Sequence, residues 1–154
     1  MTVQRCNFSA PRPEAQVSIR TCGSGHGPVP RGHMVYDVSD WFRDPHVSVA
    51  MRQMTARDPE VVQNVLRQPG ARAFAQTLFE AVSLPVGLGL GVVRVVVFCV
   101  GGRHRGPAFG QILAARCRAE GWQVDLRHRD LDKPVLATTR TPGAADLRGF
   151  ATSA

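Results

Sequence analysis

Val92-Val93-Arg94-Val95-Val96-Val97-Phe98-Cys99-Val100-Gly101-Gly102-Arg103-His104-Arg105-Gly106 is the stretch on which the fold turns. Its first nine residues are almost continuously apolar and β-branched, as suits a strand buried on both faces of a parallel sheet. A Gly-Gly turn follows, and Pro107 starts a helix that runs to about Glu120 and stops at Gly121. Ala108, Phe109, Ile112, Leu113, Ala115 and Ala119 form its expected apolar face. Alternation resumes from Gln123 to His128, with Val124 and Leu126 inward. The result is a β–loop–α–β unit with a right-handed crossover.

Working outward, Val17, Ile19 and Thr21 alternate with Ser18 and Arg20 in a weaker strand signal. A Gly-rich turn, residues 23–27, leads to a short strand from Met34 that ends at Asp37. Residues 39–57 are polar and interrupted by Pro45, and read as a loop. Asp58-Pro59 opens a helix over 59–67, and Gly70 opens another that reaches about Val82. These elements describe an α/β domain with a small mixed or parallel sheet. The boundaries expected are a flexible lead at 1–14, the domain at 15–135 and a disordered tail at 136–154. No internal repeat is present.

Composition bounds the function. The chain has 154 residues, enough for one domain with a core of its own. It carries a formal charge of +7, and Lys133 is the single lysine among 19 basic residues. Arginine suits bidentate contact with phosphate, so a phosphorylated small molecule or a polyanion is the partner class to test. Cys6, Cys22, Cys99 and Cys117 contain no C-x-x-C pair, which disfavours a zinc ribbon or a thioredoxin site. They read as free thiols of a reducing cytoplasm. Residues 1–13 lack the apolar run of a secretory signal. The most apolar stretch, 84–100, contains Pro85, Arg94 and three glycines, and is too interrupted to span a membrane.

The candidate site follows from topology. Parallel strands place their carboxyl ends on one sheet edge, where open α/β sheets bind ligands. Arg103, His104 and Arg105 leave the first strand there, and His128 and Arg129 end the second. The loop also feeds a helix N-terminus, whose free amides favour an anion. Asp37 and His46 either line the rim of the cleft or serve only as turn residues, Trp41 and Phe42 have the chemistry to stack on a sugar or base but are expected to plug the core, and His26 and His33 read as surface residues.

Two chemical templates apply to the loop. Gly101 to Gly106 has P-loop spacing, but Pro107-Ala108 stands where Lys-Ser/Thr is needed, so nucleotide hydrolysis is excluded. Cys99 and Arg105 fit the C-x5-R pattern of cysteine phosphatases, in which a thiolate attacks phosphorus and the arginine holds its oxygens. Gly106 stands where such loops usually carry a hydroxyl. Cys99 reads equally as a small apolar residue ending a buried strand, and both readings stand at this point.

Asp37-Val38, Asp44-Pro45-His46, Met54-Thr55, residues 98–105 and Arg127-His128-Arg129-Asp130-Leu131 occur in the order seen in the C-terminal domain of the RNase adapter RapZ family. The chain resembles that domain over roughly residues 17–133. The resemblance implies a non-enzymatic, cytoplasmic regulatory module that binds an amino-sugar phosphate and small RNA and serves an endoribonuclease. It also implies homo-oligomers; from the residues themselves, no membrane and no cofactor are expected. It supports Cys99, Gly101, Gly102, Arg103, His104 and Arg105 as the anion loop, with Asp37, His46, His128 and Arg129 at the rim. Val100 and Gly106 depart from the hydroxyl residues usual there, Ser39 departs from an arginine, and the loop from Asp37 to His46 is longer. The family's N-terminal P-loop kinase-like domain has no counterpart in these residues.

Overall fold

A computed structural model describes residues 15–45 and 48–137. The expected lead, His46, and the expected tail beyond Ala137 lie outside the described residues.

Among the described residues, four parallel strands form one sheet in the order β2-β3-β1-β4: β1 Val17–Gly23, β2 Met34–Asp37, β3 Val93–Cys99 and β4 Val124–His128. The sheet is therefore all-parallel. The helices are α1 Val49–Gln53, α2 Pro59–Leu66, α3 Ala71–Gly87 and α4 Arg105–Ala119. Helix α4 lies across β1, β3 and β4, and α2 and α3 pack against its flank. The crossover from β3 to β4 passes over β1, which lies between them.

Val17 and Ile19 of β1, Val93, Val95 and Val97 of β3, and Phe109, Leu113, Ala114 and Cys117 of α4 form the heart of the core. The helix approaches the sheet through Gly106 and Gly110, one turn apart. A Cβ on Gly106 would sit 3.0 Å from the Val97 carbonyl oxygen, and one on Gly110 would sit 2.5 Å from the Thr21 methyl. Small residues at these points let helix and sheet backbones close up.

Several expectations change. The alternation in β1 suggests a half-buried strand, yet all seven residues are buried because β1 is central. Its charge is tolerated because Arg20 Nη2 donates to Asp125 Oδ2 at 2.8 Å and Nη1 donates to the Asp125 carbonyl at 3.1 Å. Asp125 is accordingly buried in β4, while Val124 and Leu126 pack on the core only partly. Helix α4 starts at Arg105 rather than Pro107, and its buried stripe takes in Ala114 and Cys117 while Ala115 and Ala119 are exposed. Helix α3 continues through Pro85 to Gly87, since a proline in the last turn removes one amide and the Leu88 amide still reaches the Leu84 carbonyl. The segment read as loop contains α1, capped by the Ser48 hydroxyl.

Candidate ligand-binding site

The register places the strand ends on one edge. Gly23 pairs with Cys99, Thr21 with His128, and Asp37 with Phe98. The sequence candidates among the described residues therefore share an edge, but their side chains diverge from it into separate tasks.

Loop 100–104 is shaped by two glycines that touch. Gly102 has φ +68°, and a Cβ there would lie 2.5 Å from the Gly23 nitrogen. A Cβ on Gly23 would in turn lie 2.7 Å from the Gly101 carbonyl carbon. The Gly25 amide donates to the Val100 carbonyl at 3.0 Å, completing the seam between the loops that follow β1 and β3. Gly101 itself is open, and a methyl group there would meet nothing within 4 Å.

The charged tripeptide points mostly inward. Arg103 donates from Nη1 to the Lys133 carbonyl at 2.6 Å and from Nη2 to the Gln53 carbonyl at 3.0 Å. His104 is buried, with Nδ1 3.0 Å from Asp44 Oδ1 and Nε2 2.9 Å from the Met54 carbonyl oxygen. Both ring nitrogens face acceptors, so both contacts are hydrogen bonds only when both carry a hydrogen. Arg105 is buried as well. It donates to the carbonyls of Ser39 and Phe42 and, from Nη2, to Asp44 Oδ2 at 2.9 Å. The Nε–H groups of Arg103 and Arg105 are buried without a partner among the described residues. Nor do the backbone amides of 101–106 find a partner among them. Pro107 has no amide to offer, so the unpartnered donors concentrate at the very start of α4.

On the other side, Thr21 Oγ1 lies 2.6 Å from His128 Nδ1. Burial pushes the His128 pKa down to about 4, and the nearby Arg57 guanidinium adds to the effect. His128 is thus a neutral hydrogen-bonding group near pH 7 and adds no positive charge. Because its folded pKa is below the ordinary histidine value, the unfolded chain takes up this proton first. The full shift corresponds to about 3 kcal/mol, which solvent screening of this partly exposed ring reduces to about 2 kcal/mol, lost as pH drops from about 6.5 to 4. Urea titrations across that range should show the loss, and His128→Asn should flatten it. A wild-type profile that is already flat there would contradict the assignment.

Arg129 reaches back over the turn after β1. It donates to the carbonyls of Pro28 and Gly23 at 2.5 and 2.9 Å and pairs with Asp130 at 2.7 Å. Asp37 is exposed and accepts from the Ser39 amide and hydroxyl at 2.9 and 2.5 Å. Cys99 is 2% exposed and belongs to the core. Among the described residues no group of three His, Cys, Asp or Glu side chains could hold a metal ion, and no helix is long and apolar enough to cross a membrane.

Residues 15–132 match the profile of the RapZ C-terminal domain. The chain belongs to the RapZ C-terminal domain family. It is similar to a protein named nucleotide-binding protein from Rubrobacter xylanophilus, 37% identical over 124 residues, which cover 75% of this chain and 40% of that one. Another of that name, from Streptomyces coelicolor, is 33% identical over 125 residues, or 79% of this chain and 42% of that one. The chain spans about two fifths of the length of these curated relatives.

Within this RapZ C-terminal domain, four contributors lay beyond the sequence reading of the site. Asp44 bridges His104 and Arg105. Asp130 gathers Arg129, Lys133 and the Gly23 amide. Thr21 orients His128, and Arg57 stands beside it. Asp44 and Asp130 do occur in the family's motif positions, so proximity to those motifs was the available signal. Trp41, expected in the core, is 61% exposed, whereas Phe42 is buried 4.9 Å from Phe109. His33 is exposed as expected, and His26 is half-buried with an unpartnered Nε2 among the described residues.

Proposed function

We propose that the domain is a regulatory binding module that takes a phosphorylated small molecule, of the amino-sugar phosphate type, at the start of α4. The observation that carries this reading is the set of donors there that lack a partner among the described residues: the amides of 101–106 and the buried Nε–H groups of Arg103 and Arg105. A phosphate oxygen accepts such bonds, and the helix dipole favours its charge. Cys99, Gly101 and Gly102 shape this cradle, and His128, Arg129, Asp37 and His46 are proposed to border it. Family membership supports the regulatory role, and the relatives' names make nucleotides the competing ligand class. Small RNA and an endoribonuclease are the partners the family implies for the whole protein.

A phosphatase reading has less support. Its thiolate must face the phosphorus, and Cys99 is packed in the core. Its arginine must turn toward the loop, and the Arg105 amino groups are engaged by Ser39, Phe42 and Asp44.

Thermal unfolding in the presence of sugar phosphates, nucleotides or inorganic phosphate tests the proposal. A ligand at a hundredfold excess over its Kd adds about 2.7 kcal/mol to stability. The Tm should therefore rise by several degrees, and Arg103→Gln should reduce that rise. No response to any anion, with the chain folded by circular dichroism, would refute the anion site.

A further inference from the structure

A second recess lies beyond Asp44, on the outer side of the 39–45 segment. It has a volume of about 660 Å³ and is lined by Trp41, Arg43, Asp44, Asn64, Arg67 and Gln68, with Pro69 at its rim. We propose that it binds a nucleotide unit, with the base on Trp41 and the phosphate on Arg43 and Arg67.

Trp41 supplies the stacking surface. Its indole meets Phe74 edge-to-face at 5.3 Å and 88°, which fixes the ring while 61% of the residue stays exposed. An exposed indole held by the half-buried Phe74, itself packed on Phe42 and Phe109, is a platform for a flat ligand. Charge selects the type of flat ligand. The guanidinium groups of Arg43 and Arg67 have no hydrogen bond or ion pair among the described residues, and both residues are exposed. The one acid in the lining, Asp44, is already matched by Arg105 and His104. The recess therefore carries an unbalanced positive charge, which suits a phosphate next to an aromatic ring. Asn64 offers an amide able to read a base edge.

The wall is also well held. The Gln68 side chain accepts from the Arg43 amide at 2.6 Å and donates to the Arg43 carbonyl at 2.8 Å. This pair of hydrogen bonds ties the strip carrying Trp41 and Arg43 to the end of α2. The platform and its charges are thus positioned before any ligand arrives, and preorganisation lowers the cost of binding. The shared chemistry, a base with its phosphate, occurs in free nucleotides and in single-stranded RNA.

The test is an equilibrium titration of the full chain with AMP, ribose 5-phosphate, inorganic phosphate and a short single-stranded oligouridylate. Binding is followed by indole fluorescence and by calorimetry. AMP or the oligonucleotide is expected to bind and ribose 5-phosphate to bind much more weakly, because it lacks the base. Trp41→Ala should weaken binding about tenfold or more, and Trp41→Phe should restore part of it. Arg43→Gln should lower the salt dependence of oligonucleotide binding. Stronger binding of the oligonucleotide than of AMP assigns the recess to a strand, and the reverse assigns it to a free nucleotide. Nucleotide binding that persists in Arg103→Gln but fails in Trp41→Ala separates this site from the one at α4. Equal binding of AMP by Trp41→Ala and wild type overturns the proposal. So does self-association lost in Trp41→Ala without any nucleotide binding, which would make Trp41 a protein contact.

Discussion

An Asp130→Ala variant should unfold with a loss of about 3–5 kcal/mol, read as a shift of the urea midpoint. The carboxylate is fully buried and collects several donors in one place. The Gly23 amide donates to Oδ2 at 2.7 Å, Arg129 donates from both Nε and Nη2, and Lys133 Nζ approaches Oδ1 at 2.7 Å. Alanine would strand a largely buried guanidinium and a buried amide together, and stranded partners cost more than the original bond was worth. Asp130→Asn should fall between the two, because it keeps an acceptor and loses the charge. Burial alone would raise the Asp130 pKa, but the bonds from Arg129, Lys133 and Gly23 override it and hold the carboxyl down at about 2. With a folded pKa below the unfolded value, this stabilisation is complete above about pH 4 and disappears as pH falls toward 2. It amounts to about 2 kcal/mol. The window lies below the one assigned to His128, so the two acid losses should appear as separate steps in wild type. The Asp130→Asn variant should lack the lower step only. A variant that keeps the wild-type midpoint would remove Asp130 from its organising role.

The second large effect is expected from Gly102→Ala, at roughly 3 kcal/mol or more of stability. Two penalties coincide. The residue sits at φ +68°, where a side chain costs about 1–2 kcal/mol. Its Cβ would also fall 2.5 Å from the Gly23 nitrogen and 2.9 Å from the Cys22 carbonyl carbon, both backbone atoms that have no rotamer to escape into. The loops after β1 and β3 must then separate, and the donors at the start of α4 separate with them. Ligand stabilisation in the thermal assay should vanish in this variant. Two controls isolate the causes. Gly101→Ala meets nothing within 4 Å and should be close to neutral. Gly121→Ala has φ +82° with open space, and should show the conformational penalty alone. A Gly102→Ala variant no worse than Gly121→Ala would mean that the seam yields.

The strands and the α/β class could be read from residue order because burial leaves a periodic imprint. A β-branched run at 92–100 and alternation at 17–21 and 123–128 each named a strand. Which strand lies in the middle leaves no such mark. Arg20 looks like a solvent-facing residue until Asp125, more than a hundred positions later, is placed beside it. The same limit governed the site. Arg103, His104, Arg105 and Arg129 could be placed at one sheet edge from topology. Their orientation depends on carbonyls of residues 23, 28, 39, 42, 53, 54 and 133. Backbone carbonyls are the same at every position and carry no sequence signal. Trp41 and Phe42 illustrate it in miniature: adjacent aromatics in one polar stretch, one in the core and one at the surface.

Arg103, His104 and Arg105 together grip Ser39, Phe42, Asp44, Met51, Gln53 and Met54, while the Ala56 amide returns a bond to the Arg103 carbonyl. A stretch with only one five-residue helix of its own among the described residues takes its shape from three consecutive side chains on a distant connection. In kinetic terms, apart from the clasp of Gln68 on Arg43 it has no template until β3 and α4 have docked, so it should order late in refolding and become an early point of cleavage by a protease when the tripeptide is altered. In evolutionary terms, its length can drift freely so long as the acceptors still come within reach of those three donors.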